Sequence, residues 1–313
     1  MQLTLRRTLV RSYQSSAKNN SPFMIYEIHN DQLAVAVTTK GAELQSIINK
    51  ENGLEYLWTG DAKFWSKKSP VLFPVVGGLK NEQYKFKEKP YQLNRHGFAR
   101  EMEFEMIDKK EDLIVFLLKA NEETLKKYPF QFSFFITYSL QNNELITTYK
   151  VENNGTGKMY FSVGAHPAFK VPLVNDTSFE DYFLLFETFE NADRWPLSAE
   201  GLIETNATPF FNNQEKIKLT KELFYKDALV FKNLKSKTIS IISDKTNFGI
   251  KVSYNNFPFM GIWSAKDADF VCIEPWCGIA DSVNATGNIE EKEGINSIEH
   301  YESFERNWHA LFF

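Results

Sequence analysis

The segment 131–140, QFSFFITYSL, alternates apolar and polar positions and is rich in aromatic and β-branched residues; 144–152, ELITTYKVE, repeats the pattern after the polar triplet QNN. A period of two marks a strand with one buried face, and a short polar break between two such runs predicts a hairpin. The signal returns at 33–39 (LAVAVTT), 238–243 (TISIIS) and 249–254 (GIKVSY), the last two separated by DKTNF. Helical spacing is confined to short pieces. Residues 197–202 and 220–228 predict single turns, and 301–313 reads equally as a strand or a short helix. No strands alternate with long helices and no phosphate-binding glycine string occurs, which argues against a nucleotide-binding α/β fold. The pattern predicts one all-β domain over residues 24–313, a large antiparallel β-sandwich.

Composition sharpens this picture. Aromatic residues make up 15% of the 313, with 28 Phe and 13 Tyr, which suits strands and concave apolar surfaces. A formal net charge of −4 offers no basic field for nucleic acid or an anionic membrane surface, so the expected partner is a small molecule. No run of 18 apolar residues occurs, so no helix is expected to span a bilayer.

Residues 1–23 differ from the rest. They contain Arg6, Arg7, Arg11 and Lys18, several Ser and Thr, and no acid. This composition fits a mitochondrial transit peptide, and it fits equally a start codon upstream of a domain that begins at Met24. The expected location is cytoplasmic, or mitochondrial if the stretch is a transit peptide.

Candidate chemistry comes from few residues. Glu274 ends an apolar run in FVCIEPWCGIADS (270–282), between Cys272 and Cys277, the chain's two cysteines. These lack the partners of a zinc site or a disulfide framework and are expected to be reduced, buried thiols. Of the five histidines, His96 sits in NRHGFAR, flanked by two arginines, and His166 in SVGAHPAF, where Pro167 breaks the ladder. His96, His166 and Glu274 make a conceivable zinc or iron ligand set, but no short-spaced metal motif supports it, and the nucleophile elbow of a hydrolase is absent. Structural, metal-binding and acid–base readings of the three remain open on the residues alone.

Four strings in order, HGFAR (96–100), GAHPAF (164–169), DALVF (227–231) and FVCIEPWCGIADS, resemble the aldose 1-epimerase (galactose mutarotase) superfamily, most closely its LacX-like branch. The text around them agrees, with LFPVVGGLKNEQY at 72–84 and FPFMGIWSAK at 257–266. The resemblance spans nearly all of residues 24–313. It implies a galactose mutarotase-like supersandwich with a sugar site on its concave face, and interconversion of the α and β anomers of a hexose such as glucose or galactose, with no metal and no cofactor. It also implies roles. Glu274 matches the base that takes the C1 hydroxyl proton, His166 the acid that protonates the ring oxygen, and His96 a second histidine that hydrogen-bonds there. Asp227 matches a carboxylate that binds sugar hydroxyls, and Trp263, Trp276 or Phe169 are candidates to cover the ring.

One departure bears on substrate. Many relatives carry an arginine where this chain has Gly78. Lys80 is close enough in sequence to substitute as a substrate contact, though strand alternation equally places it in solvent, and Arg100 is the other nearby cation; a lone lysine is a poor phosphate clamp, which favours free hexoses over hexose 6-phosphates. A non-catalytic carbohydrate-binding or sensor module is the rival class, since fold does not determine function, and a metal-dependent sugar isomerase is a third. The expected assembly is a monomer or homodimer.

Overall fold

The hairpin around QNN lies inside the largest sheet. Phe132–Gln141 pairs with Glu144–Asn153 over ten consecutive positions, and Asn142 takes the positive φ that a tight turn requires. The computed structural model describes residues 23–313; the transit-peptide and upstream-start readings of the N-terminal stretch fall on residues outside these. The sheet has nine antiparallel strands, in the order Gln214–Lys218, Tyr182–Glu190, Thr238–Ser243, Thr246–Ser253, Ser303–Phe312, Glu144–Asn153, Phe132–Gln141, Leu113–Lys119 and Glu105–Lys109. The C-terminal segment is thus a strand, paired on both sides.

A second antiparallel sheet carries Val163–Gly164, Phe270–Cys277, Phe259–Trp263 and Leu229–Lys232 in that order, with Ala168–Lys170 also on Phe270–Cys277. Ile25–His29, Leu33–Thr38 and Leu44–Asn49 form a three-stranded meander. Among the described residues one α-helix occurs, Glu122–Lys127, which the sequence reading did not anticipate. At six residues it is too short to show a 3.6 period, and it is held by its cap: the Asn121 side chain accepts from the Glu123 and Thr124 N–H groups while Thr124 Oγ1 accepts from Asn121 N–H. Residues 220–228 hold the short 3₁₀ turn Lys221–Phe224, and Ser198 to Gly201 turn the chain so that Leu197 bridges Ile203.

One continuous apolar core joins the two sheets. Phe134 and Val151 of the large sheet belong to the same cluster as Val271, Ile273, Phe231 and Ile262 of the smaller one. Along Phe270–Cys277 every residue is buried, yet the two faces differ. Val271 and Ile273 point into the shared core, while Cys272 and Trp276 join two separate apolar clusters on the opposite face, where Glu274 also lies. The strand reads as a near-continuous hydrophobic run because it is covered on both sides.

Phe73 ties this core to the loops beyond. Its ring stacks on Phe134 with centroids 4.4 Å apart, and its carbonyl accepts the N–H groups of Phe98 and Ala99. Phe134 is fully buried. Phe134→Ala is therefore expected to cost about 3–5 kcal/mol, read as a lower urea midpoint with an unchanged slope.

Candidate active site

Glu274 sits mid-strand, paired with Gly261 of Phe259–Trp263 on one side. On the other side the ladder is interrupted. Val163–Gly164 pairs with Cys277 and Trp276, Ala168–Lys170 pairs with Cys272 to Phe270, and His166-Pro167 fills the gap between them. Proline cannot donate to a ladder, so the chain bows out at this point and its imidazole comes against the carboxyl opposite. His166 Nε2 lies 3.2 Å from Glu274 Oε2, with side-chain exposures of 10% and 2%.

His96 arrives from another loop. His96 and Gly97 both have positive φ, and a Cβ on Gly97 would lie 2.3 Å from the Phe73 carbonyl oxygen, so only glycine permits the approach. The strained His96 backbone is held by Gly77, whose N–H donates to His96 Nδ1 (3.1 Å) and whose carbonyl accepts His96 N–H (2.9 Å). An Nδ1 that accepts leaves the neutral ring's proton on Nε2. The two imidazoles stand edge to face, 5.8 Å apart.

These groups line a cavity of about 450 Å³ together with Asp227, Arg95, Arg100, Trp65, Trp263, Trp276 and Lys266. Asp227, at φ 88°, closes the turn before Leu229–Lys232, and its Oδ1 accepts the Ala228 N–H. Trp65 stacks on His166 at 5.0 Å and Trp263 meets the same ring edge-on at 5.6 Å, so indoles box the imidazole.

Burial dominates the electrostatics. It pushes the Glu274 carboxyl well above its usual range; the positive charge of Arg95 opposes this and the negative charge of Asp227 adds to it. It pulls His166 down to about 3, with Arg100 and Arg95 acting in the same direction. His96 is likewise well below 6.5, through burial first and then the nearby His166, Arg95 and Arg100. Among the described residues, His166, Cys272 and Glu274 form a group able to offer three metal-ligand atoms, all within 4.8 Å of one another. This differs from the set suggested by sequence, with Cys272 in place of His96. Its thiol is driven well above the ordinary range by burial and by Glu274, which keeps it protonated and a poor ligand. Cys277 is also free and buried.

The remaining residues singled out in the sequence divide. Glu274, His166, His96, Asp227, Arg100, Trp263 and Trp276 share the cavity wall, whereas Phe169 is fully buried in the core. Lys80 is not in the wall. It begins a 3₁₀ turn, Lys80–Glu82, that carries it away to border a separate depression with Asn81 and Tyr84. Besides Arg100, the cations in the cavity wall are Lys266 and Arg95, the latter adjacent to His96 in sequence. A Cβ on Gly201 would lie 2.5 Å from Arg95 Nη1, and one on Gly78 would lie 3.6 Å from the Gly201 carbonyl oxygen. Gly201 thus neighbours both Arg95 and the position that carries Gly78. The only sequence signal for Arg95 was proximity to His96. Trp65, in an irregular segment, had none.

The aldose 1-epimerase family matches residues 24–299. The protein LacX of Lactococcus lactis subsp. lactis is 35% identical over 284 residues, covering 88% of this chain and 95% of LacX. Among solved structures, a galactose mutarotase related enzyme from Lactobacillus acidophilus is 36% identical with a TM-score of 0.88, covering 93% of this chain and 97% of that one. A galactose mutarotase-like protein from Lactobacillus casei ATCC 334 is 30% identical with a TM-score of 0.87, covering 93% of this chain and all of the other. With its fold, its cavity and these relatives in agreement, the chain belongs to the aldose 1-epimerase family.

Proposed function

We propose that this protein interconverts the α and β anomers of a hexose by general acid–base ring opening, with Glu274 and His166 as the reacting pair. The observation that carries this reading is the buried carboxyl–imidazole contact of 3.2 Å in the wall of a sugar-sized cavity. Ring opening needs a proton to leave the C1 hydroxyl and another to reach the ring oxygen. A neutral carboxyl beside a neutral imidazole holds the same protons as a carboxylate beside an imidazolium, so moving one proton across the contact creates both the base and the acid. Glu274 then accepts the O1 proton as His166 delivers its proton to the ring oxygen, the C1–O5 bond breaks, and the open-chain aldehyde forms. The pair is left neutral. After rotation about C1–C2 the steps reverse: O5–H returns its proton to His166 while O5 attacks the other face of C1, and Glu274 reprotonates O1. His96 Nε2–H supplies a fixed donor to steady charge on oxygen. Asp227 accepts from sugar hydroxyls, and the Trp263 and Trp276 rings offer apolar faces to the sugar ring.

A specific observation favours a second reading of the substrate. Arg95 and Arg100 both reach the cavity, neither makes an ion pair with a carboxylate among the described residues, and Arg100 Nε is buried without a partner. Two guanidiniums suit a hexose carrying a phosphate better than a lone lysine would.

Optical rotation of freshly dissolved α-D-glucose and α-D-galactose, and exchange NMR of their 6-phosphates, test both readings. The protein is expected to accelerate equilibration, and Glu274→Gln to lose about 10²–10⁴-fold. Acceleration confined to the phosphates would select the second reading, and none with any of the four sugars would overturn the proposal.

The pH profile is a second test. Independent groups with values of 4.5 and 6.5 would be active only between them. Because burial lowers the imidazole to about 3 and raises the carboxyl, the singly protonated pair persists on both sides of that window. The rate is expected to stay level through pH 4.5 and to fall only nearer 3, and on the alkaline side where the pair loses its shared proton. His96 and His166, both depressed, contribute stability present above about pH 6.5 and lost as pH falls below it, for His166 down to about 3, so circular dichroism at each pH must confirm a folded protein.

A further inference from the structure

Lys292 and Asp281 form the one lysine–carboxylate pair buried on both sides among the described residues, 2% and 5% exposed with Nζ 2.7 Å from Oδ1. Desolvating two charges is costly, and such a pair is weak evidence of a gain in stability. Its other contacts suggest what it does. Asp281 Oδ2 accepts the Lys80 N–H at 3.0 Å, and the Asp281 N–H donates to the Gly78 carbonyl at 2.9 Å. The carboxylate and its own backbone therefore grip residues 78–80 from two points. Immediately before them is Gly77, which exchanges two hydrogen bonds with His96, one of them to Nδ1. The contact is close: a Cβ on Gly77 would lie 2.4 Å from Ala280 Cβ. Asp281 also accepts the Ile203 N–H through its carbonyl, at 2.8 Å, and so holds the cavity wall that carries Leu197 and Ile203.

We propose that the buried Asp281–Lys292 pair is a positioning device, fixing the Gly77 N–H against His96 Nδ1 so that Nε2–H faces the sugar. Neither residue lines the cavity, so both act through Gly77 and His96. The inference rests on the epimerase reading for its consequence in rate, but the state of His96 is measured separately.

The test combines histidine ¹⁵N NMR with mutarotation kinetics on Lys292→Met, Asp281→Asn and Lys292→Arg, each confirmed folded by circular dichroism. In the wild type, His96 is expected to show a single Nε2–H tautomer. Lys292→Met and Asp281→Asn are expected to show mixed tautomers and a kcat about 10–100-fold lower with KM changed less, the scale of a small misplacement at a reacting site. Lys292→Arg, which keeps the charge, should recover most of both. If a single variant fails to fold, the Asp281→Asn/Lys292→Met double variant removes both charges together and is read in the same way. A folded variant with the wild-type His96 signal, or with mixed tautomers and the wild-type rate, overturns the proposal. If the wild type accelerates no sugar, the epimerase reading fails, while the NMR still decides whether the pair fixes His96.

Discussion

Holding a carboxyl and an imidazole 3.2 Å apart with almost no water is the constraint on which the rest of this structure depends. Isolated charges there would be very unfavourable, so burial drives both groups toward their neutral forms, and the neutral pair keeps one proton that either partner can carry. The sandwich makes this arrangement rigid. Glu274 lies mid-strand, clamped by Gly261 on one side and by the interrupted ladder of residues 163–170 on the other. A surface loop would let water in and restore ordinary acid–base behaviour.

The core serves the same end. Phe73 stacks on Phe134 of the nine-stranded sheet and presents its carbonyl to the residues just after His96, so the large sheet supports the histidine loop at second hand. Positive φ at His96 and Asp227 stores strain in two cavity residues, and the surroundings hold that strain through paired hydrogen bonds and close packing. The indoles of Trp65 and Trp263 box the His166 ring, removing water from its faces and restricting its rotation.

Charge is distributed with equal economy. Arg95 lowers the proton affinity of Glu274, His96 and His166 alike, while Asp227 raises that of Glu274. A ligand that neutralises Arg95 would therefore alter the proton affinity of Glu274, which couples binding at Arg95 to the buried pair.

The strand class was legible because alternation is a local property: residues 131–140 and 238–243 carry their burial pattern in the order of their side chains. The candidate site was legible where a motif is contiguous, as in HGFAR and GAHPAF, and the resemblance these carry named Glu274, His166, His96 and Asp227, which share the cavity. What local order could not determine was direction. Lys80 and Arg95 lie in neighbouring motifs and carry the same charge, yet a 3₁₀ turn carries one away while the loop before Gly97 brings the other in. Likewise, nothing local to His96 says which ring nitrogen holds its proton. That depends on Gly77, and Gly77 is held by a buried pair some two hundred residues further along the chain, a relation that exists only once the sheets have packed.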